Sequence, residues 1–215
     1  KEVFELTFLQ AGLVQFAWFA AYGLLSIPGG NLIARIGYQR GILVGLATAG
    51  LGCLLFYPAA ATRMYPLFLL ALFVVAGGIT ILQVAANPYI SVLGPDESAS
   101  ARLNLAQAFN SFGTTLAPVV AASFLLGDQI LSSDAIRALS DADRLSYYAN
   151  EASAVQVPFV VLALAFFALA GVVGAITLPK ILGGDSQTTT TYGQVLQNRK
   201  LLFGALGIFV YVGAE

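Results

Sequence analysis

Six stretches of almost unbroken apolar sequence, at about 7–28, 41–61, 66–93, 103–127, 155–182 and 200–215, dominate this chain. Each but the last, which is shorter, is close to the roughly 20 residues a helix needs to cross a bilayer. Lipid offers no partner to backbone N–H and C=O groups, so only helices and closed barrels can span it. Barrel strands alternate over about ten residues, and no such alternation occurs here. The fold class expected is an all-α membrane bundle. Composition agrees: 58% of residues are hydrophobic and 10% charged, with a mean hydropathy of +0.82, against roughly a quarter charged in ordinary soluble domains. The first run has neither the basic flank nor the cleavage site of a signal peptide.

Composition also removes several functions. A net charge of -1 without a long basic run gives no footprint for nucleic acid. Histidine is absent and Cys53 is the single cysteine, so the usual zinc and haem ligand sets are missing and no internal disulfide can form. No cofactor is expected.

Runs such as Gly41-Ile-Leu-Val-Gly45, Gly50-Leu-Gly52 and Gly77-Gly78 permit close helix approach in lipid. Orientation follows from lysine and arginine in the connections. Arg35 and Arg40 follow the first run, Arg102 the third, and Lys180, Arg199 and Lys200 the fifth, which places those connections on the cytoplasmic side. The connection after the fourth run is rich in Asp and Glu and suits the opposite face, and Ser132–Ser140 fits a short surface helix there. On this count Lys1 starts outside and the chain stops within a span, so a fragment is expected. Residues 1–182 form most of a first bundle, 183–199 a cytoplasmic linker, polar and rich in threonine, and 200–215 the start of a second bundle.

Chemistry concentrates in a few amides. Gln83 and Asn87 stand one helical turn apart at the end of an apolar run, and Gln107 and Asn110 nearly share a face at the start of the next. Amides in lipid need partners. Singly, each reads equally well as interhelical glue, worth about 0.6 to 2 kcal/mol; together they suit a neutral ligand with many hydroxyls. Asn87 precedes Pro88, whose missing N–H frees a carbonyl that this amide can serve instead. Gln15, Trp18, Phe19 and Tyr22 recur at helical spacing in the first run, either as an apolar stripe or, for Gln15 and Tyr22, as amide and ring of a pyranose site. Gln83, Gln107 and Asn110 are expected to converge on one cavity.

Gly30-Asn-Leu-Ile-Ala-Arg-Ile-Gly-Tyr-Gln-Arg40 resembles the loop signature between the second and third helices of the major facilitator superfamily, with Gly30, Leu32, Arg35, Gly37 and Arg40 in matching places and Ala34 where an acid is usual. Gln83–Tyr89 and Arg102–Gly113, joined through Val92-Leu-Gly-Pro95, resemble the fucose–galactose–hexuronate symporter branch. Within it, Thr80–Tyr89 and Gly207–Glu215 are most similar to members that carry glucose and galactose. The resemblance implies helices two to seven of twelve and a multi-pass protein of the bacterial cytoplasmic (inner) membrane; taken with it, Gln83, Asn87, Gln107 and Asn110 are expected to contact the substrate, with Gln15 and Tyr22 joining them on residue type alone. It also implies that Gln83 stands where the related fucose–proton symporter has a carboxylate; glutamine cannot titrate.

Glu215 is the one acid deep within an apolar run. A charge there costs about 2.5 to 3.5 kcal/mol on insertion scales, which makes it a candidate for ion coupling, structural pairing or ion binding. Arg35, Arg40 and Arg102 are orientation determinants with a second role in cytoplasmic gating. The reading is a monomeric secondary transporter moving a hexose by alternating access, with a co-transported proton or sodium. A membrane sugar sensor and a fucose-type deoxysugar symporter are the alternatives. An intramembrane enzyme finds no acid, base or nucleophile cluster in these spans.

Overall fold

The computed structural model describes residues 8–62, 64–125 and 138–179, with 199, 202–204, 206, 207 and 210 beyond them. The chain divides into two compact units, Lys1–Leu182 and Gly183–Glu215. In the second unit Leu202, Phe203, Leu206 and Val210 are helical and exposed.

Among its described residues the first unit has helices α1 (Phe8–Ile36), α2 (Tyr38–Thr62), α3 (Tyr65–Val92), α4 (Ala99–Leu125) and α5 (Asp141–Ala175), with one 3-10 turn at Asp96–Ser98. No strand occurs among the described residues. The all-helical expectation holds, and two boundaries move. The first run does not end near residue 28: α1 continues through Pro28, Gly29 and Gly30 to Ile36. At about 1.5 Å per residue its 29 residues rise about 43 Å, well beyond the ~30 Å of hydrocarbon, so the helix leaves the membrane still wound. The connection expected around Arg35 and Arg40 shrinks to Gly37, whose φ of 84° is a left-handed conformation that glycine adopts without a Cβ penalty. Its N–H closes α1 on Ile33 O at 2.8 Å, and its carbonyl accepts from Gly41 N at 3.0 Å.

The second change is at α5. The apolar run suggests a start near 155, yet the helix begins at Asp141 because Ser140 caps it: its hydroxyl oxygen accepts from Asp143 N at 3.2 Å. Part of the acidic connection is therefore helix. The proposed surface helix at Ser132–Ser140 lies, but for its last three residues, outside the described residues.

Among the described residues, four segments are long and apolar enough to cross a membrane: α1, α2, α3 and residues 156–175 of α5. α4 forms where the fourth span is expected, and Asn104, Gln107, Asn110, Ser111, Thr114 and Thr115 place polar side chains along it. The hydroxyls of Thr114 and Thr115 fold back on Ser111 O at 2.9 Å each, as such groups do in lipid-facing helices. The expected last run, 200–215, lies largely outside the described residues.

α2 is the centre of the unit. It runs antiparallel to α3 along a seam of small residues, where a Cβ on Gly78 would sit 2.3 Å from Ala49 N and one on Gly45 2.7 Å from Leu82 N. On another side it packs antiparallel to α5, with Phe56 stacked on Phe159 at 3.8 Å between centroids and edge-on to Phe68 at 5.2 Å. Cys53, Phe56, Ala71, Val75 and Ala163 form one buried cluster; Ile33, Ile42, Leu46 and Ala85 form a second. α1 runs parallel to α3, setting Leu25 on Gly77 and Gly29 on Ile81. The C-terminal ends of α1, α3 and α5 and the start of α2 thus share one end of the bundle.

Candidate functional site

With α2 packed on one side of α3 and α1 on the next, a third side is left over, and Gln83 and Asn87 occupy it. Gln83 is exposed and Asn87 half-buried. The α1 residues at helical spacing turn toward α3: Tyr22 is half-buried, and its hydroxyl is hydrogen-bonded to the Gln83 side chain. Trp18, packed against the Cys53–Phe56 cluster, lies 6.3 Å from the Tyr22 ring at 40°. A half-buried indole therefore backs a tyrosine whose polar tip meets an amide.

One bond leaves that amide unsaturated. Glutamine offers two donors and an acceptor with two lone pairs, so an exposed Gln83 keeps donor and acceptor capacity toward a ligand. Asn87 makes no side-chain bond to the backbone around Pro88 among the described residues; its carbonyl accepts from Ser91 Oγ at 3.3 Å.

Gln15 on α1 and Gln107 and Asn110 on α4 are exposed, and their amides bond to no other described residue. Leu105, Phe109 and Phe112 around them are 62%, 70% and 66% exposed. On α4 this makes a mixed apolar and amide surface that is largely uncovered. No described hydrogen bond ties Gln107 or Asn110 to the Tyr22–Gln83 pair. Among the described residues there is no group of three His, Cys, Asp or Glu able to hold a metal.

The arginines divide by role. Arg35 and Arg40 are exposed on either side of the Gly37 corner. Arg102 serves the backbone: Nε donates to Ile90 O at 3.1 Å, Nη2 to Ser91 O at 2.7 Å, and Nη1 to Pro95 O at 3.0 Å and to Ser98 Oγ. These include last-turn carbonyls of α3 that lack an intrahelical partner, and a cation is favoured at that end of a helix. Arg102 thereby ties the start of α4 to the end of α3, a role that charge counting alone does not reveal. Glu215 lies outside the described residues. Gln39 was missed altogether by sequence reasoning: it sits between two signature positions, yet its amide bridges α2 to the end of α5, and nothing in its sequence context signals that reach.

A family model described as the Major Facilitator Superfamily matches residues 1–214. The chain belongs to the Major Facilitator Superfamily. Among relatives within it, the chain is 50% identical over 217 residues to a glucose/galactose transporter of Brucella abortus biovar 1 (strain 9-941), covering 100% of this chain and 49% of that protein. It is 35% identical over 223 residues to the L-fucose-proton symporter of Escherichia coli (strain K12), covering 100% of this chain and 51% of that one. A crystal structure of FucP, a transporter of this superfamily in the outward conformation, superposes with a TM-score of 0.83 at 34% identity, over 92% of this chain and 49% of FucP. The chain therefore spans about half the length of these superfamily relatives.

Proposed function

We propose that this chain is part of an ion-coupled hexose transporter of the bacterial cytoplasmic membrane, acting as a monomer by alternating access, with glucose or galactose as substrate. The observation that carries the reading is the exposure of three amides, Gln107 and Asn110 on α4 and Gln83 on α3, in a bundle whose relatives include glucose/galactose transporters. Lipid penalises unpaired amides; a polyol satisfies them, because each amide can donate to one hydroxyl and accept from its neighbour. In this reading Gln83, Gln107 and Asn110 converge on the sugar, Asn87 and Gln15 border it, and the Trp18-backed ring of Tyr22 contributes its apolar face. Arg35 and Arg40 act at the cytoplasmic gate.

Counterflow in proteoliposomes of the intact transporter tests this: preloaded galactose should drive uptake of labelled glucose, and the reverse. Absence of exchange would leave a sugar sensor. The 35% identity to an L-fucose-proton symporter favours a deoxyhexose as the second reading, and fucose outcompeting galactose in the same assay would establish it.

Gln83 does not titrate, so coupling through this part of the chain passes through a carboxylate, and Glu215 is the one placed in an apolar run. Glu215→Gln should spare counterflow while abolishing uptake driven by a pH or sodium gradient. Full concentrative uptake by that variant would assign coupling to another residue.

A further inference from the structure

α5 ends at Ala175 and the next four residues are not helical, yet three independent contacts hold them. Gln39, in the first turn of α2, directs Nε2 to Val173 O at 2.9 Å and to Ile176 O at 2.6 Å. Leu178 packs into the buried cluster of Ile33, Ile42, Leu46 and Ala85. The hydroxyl of Tyr89, 5% exposed, donates to Pro179 O at 3.4 Å, the longest and weakest of the three, while its ring leans on Tyr38 at 5.5 Å.

A helix end leaves its last carbonyls unpaired, and an unanchored post-helical segment would be the natural pivot in a protein whose chain continues into another unit. Here both donors of one amide are consumed in suppressing that freedom. Gln39 and Tyr38 also directly follow the Gly37 corner. We infer that Ile176–Pro179 is a fixed strap of the first unit, clasped by Gln39 and Tyr89, so that the end of α5 is not a hinge and the strap moves as one piece with the Gly37 corner throughout the cycle. This goes beyond the hexose reading and does not depend on it.

Pulsed electron–electron distance measurements on an otherwise cysteine-free intact transporter in nanodiscs test the clasp, with spin labels at Thr62→Cys, at the far end of α2, and Thr177→Cys. The unmodified clasp should give one narrow distance distribution, unchanged by saturating galactose. Gln39→Ala with Tyr89→Phe should broaden it several-fold. Gln39→Glu, an acceptor only when ionised, should broaden it, and Gln39→Arg, which restores donors, should not. The single Gln39 variants serve if the double variant does not fold. A broad or galactose-shifted distribution with the clasp intact, or an equally narrow one in Gln39→Ala and Gln39→Glu, overturns the inference. The comparison of widths decides the matter even if galactose does not bind.

Discussion

The seam between α2 and α3 and the surface of α4 are both helical and both meant for the membrane, but they spend their side chains in opposite ways. Along the seam, side chains are nearly absent: Gly45 and Gly78 bring backbones so close that a methyl group has no room, and van der Waals contact replaces the hydrophobic drive that lipid cannot supply. On α4, long side chains such as Phe109, Phe112 and the amides Gln107 and Asn110 are exposed. A surface with no room to change is suited to transmitting motion rigidly, whereas a surface with unspent hydrogen bonds is suited to receiving something. Stability and recognition should therefore separate between them under mutation.

The sharpest way to break that separation is Gly78→Val. Its side chain must displace the backbone of Ala49, a loss of about 3 kcal/mol or more, read as a large drop in unfolding temperature in detergent. Unchanged thermal stability would mean the seam is looser than described. Next comes Arg102→Met, which strips the charged donor from the end of α3 and should cost about 1.5 to 3 kcal/mol of stability with little change in sugar affinity. A selective loss of affinity would move Arg102 to the binding side. Asn110→Ala should do the converse, weakening hexose binding by about 1 to 3 kcal/mol while altering stability by less than about 0.5 kcal/mol, the usual range for surface changes; equilibrium binding and thermal unfolding on one preparation decide. The smallest effect expected is Tyr22→Phe. It removes a single hydrogen bond to Gln83, about 1 kcal/mol, and keeps the ring, so affinity should fall a few-fold and less than in Gln83→Ala. If it falls further than in Gln83→Ala, the hydroxyl touches the sugar itself.

What could be read from sequence follows from which interactions are local. Helix positions, and the closeness that Gly41, Gly45, Gly77 and Gly78 allow, depend on hydropathy and residue size along the chain, and the bundle follows them. Boundaries were missed where a local rule was overridden. Pro28 and two glycines normally end a helix, but α1 is supported there by Ile81 and Val84 of α3, contacts remote in the chain and invisible to a running window. Ser140 is an N-cap signal that the apolar run beginning near 155 obscured. In the candidate site, residue types were legible because amides stand out in apolar sequence. Which amide has a protein partner was not, since the Tyr22–Gln83 bond joins two helices, and the contacts of Gln39 and Arg102 go to backbone carbonyls, which carry no sequence signature.

The single-residue corner at Gly37 bears on biosynthesis. Two helices joined by one residue leave no extended tether with which α1 could settle in the bilayer while α2 waits in water, so the pair is expected to enter the membrane together as a hairpin, with Arg35 and Arg40 as a matched brake on either side of its tip. The same corner offers nowhere to splice an affinity tag or a reporter without unwinding a helix, which makes it a poor site for engineering and a sensitive one for inherited insertions.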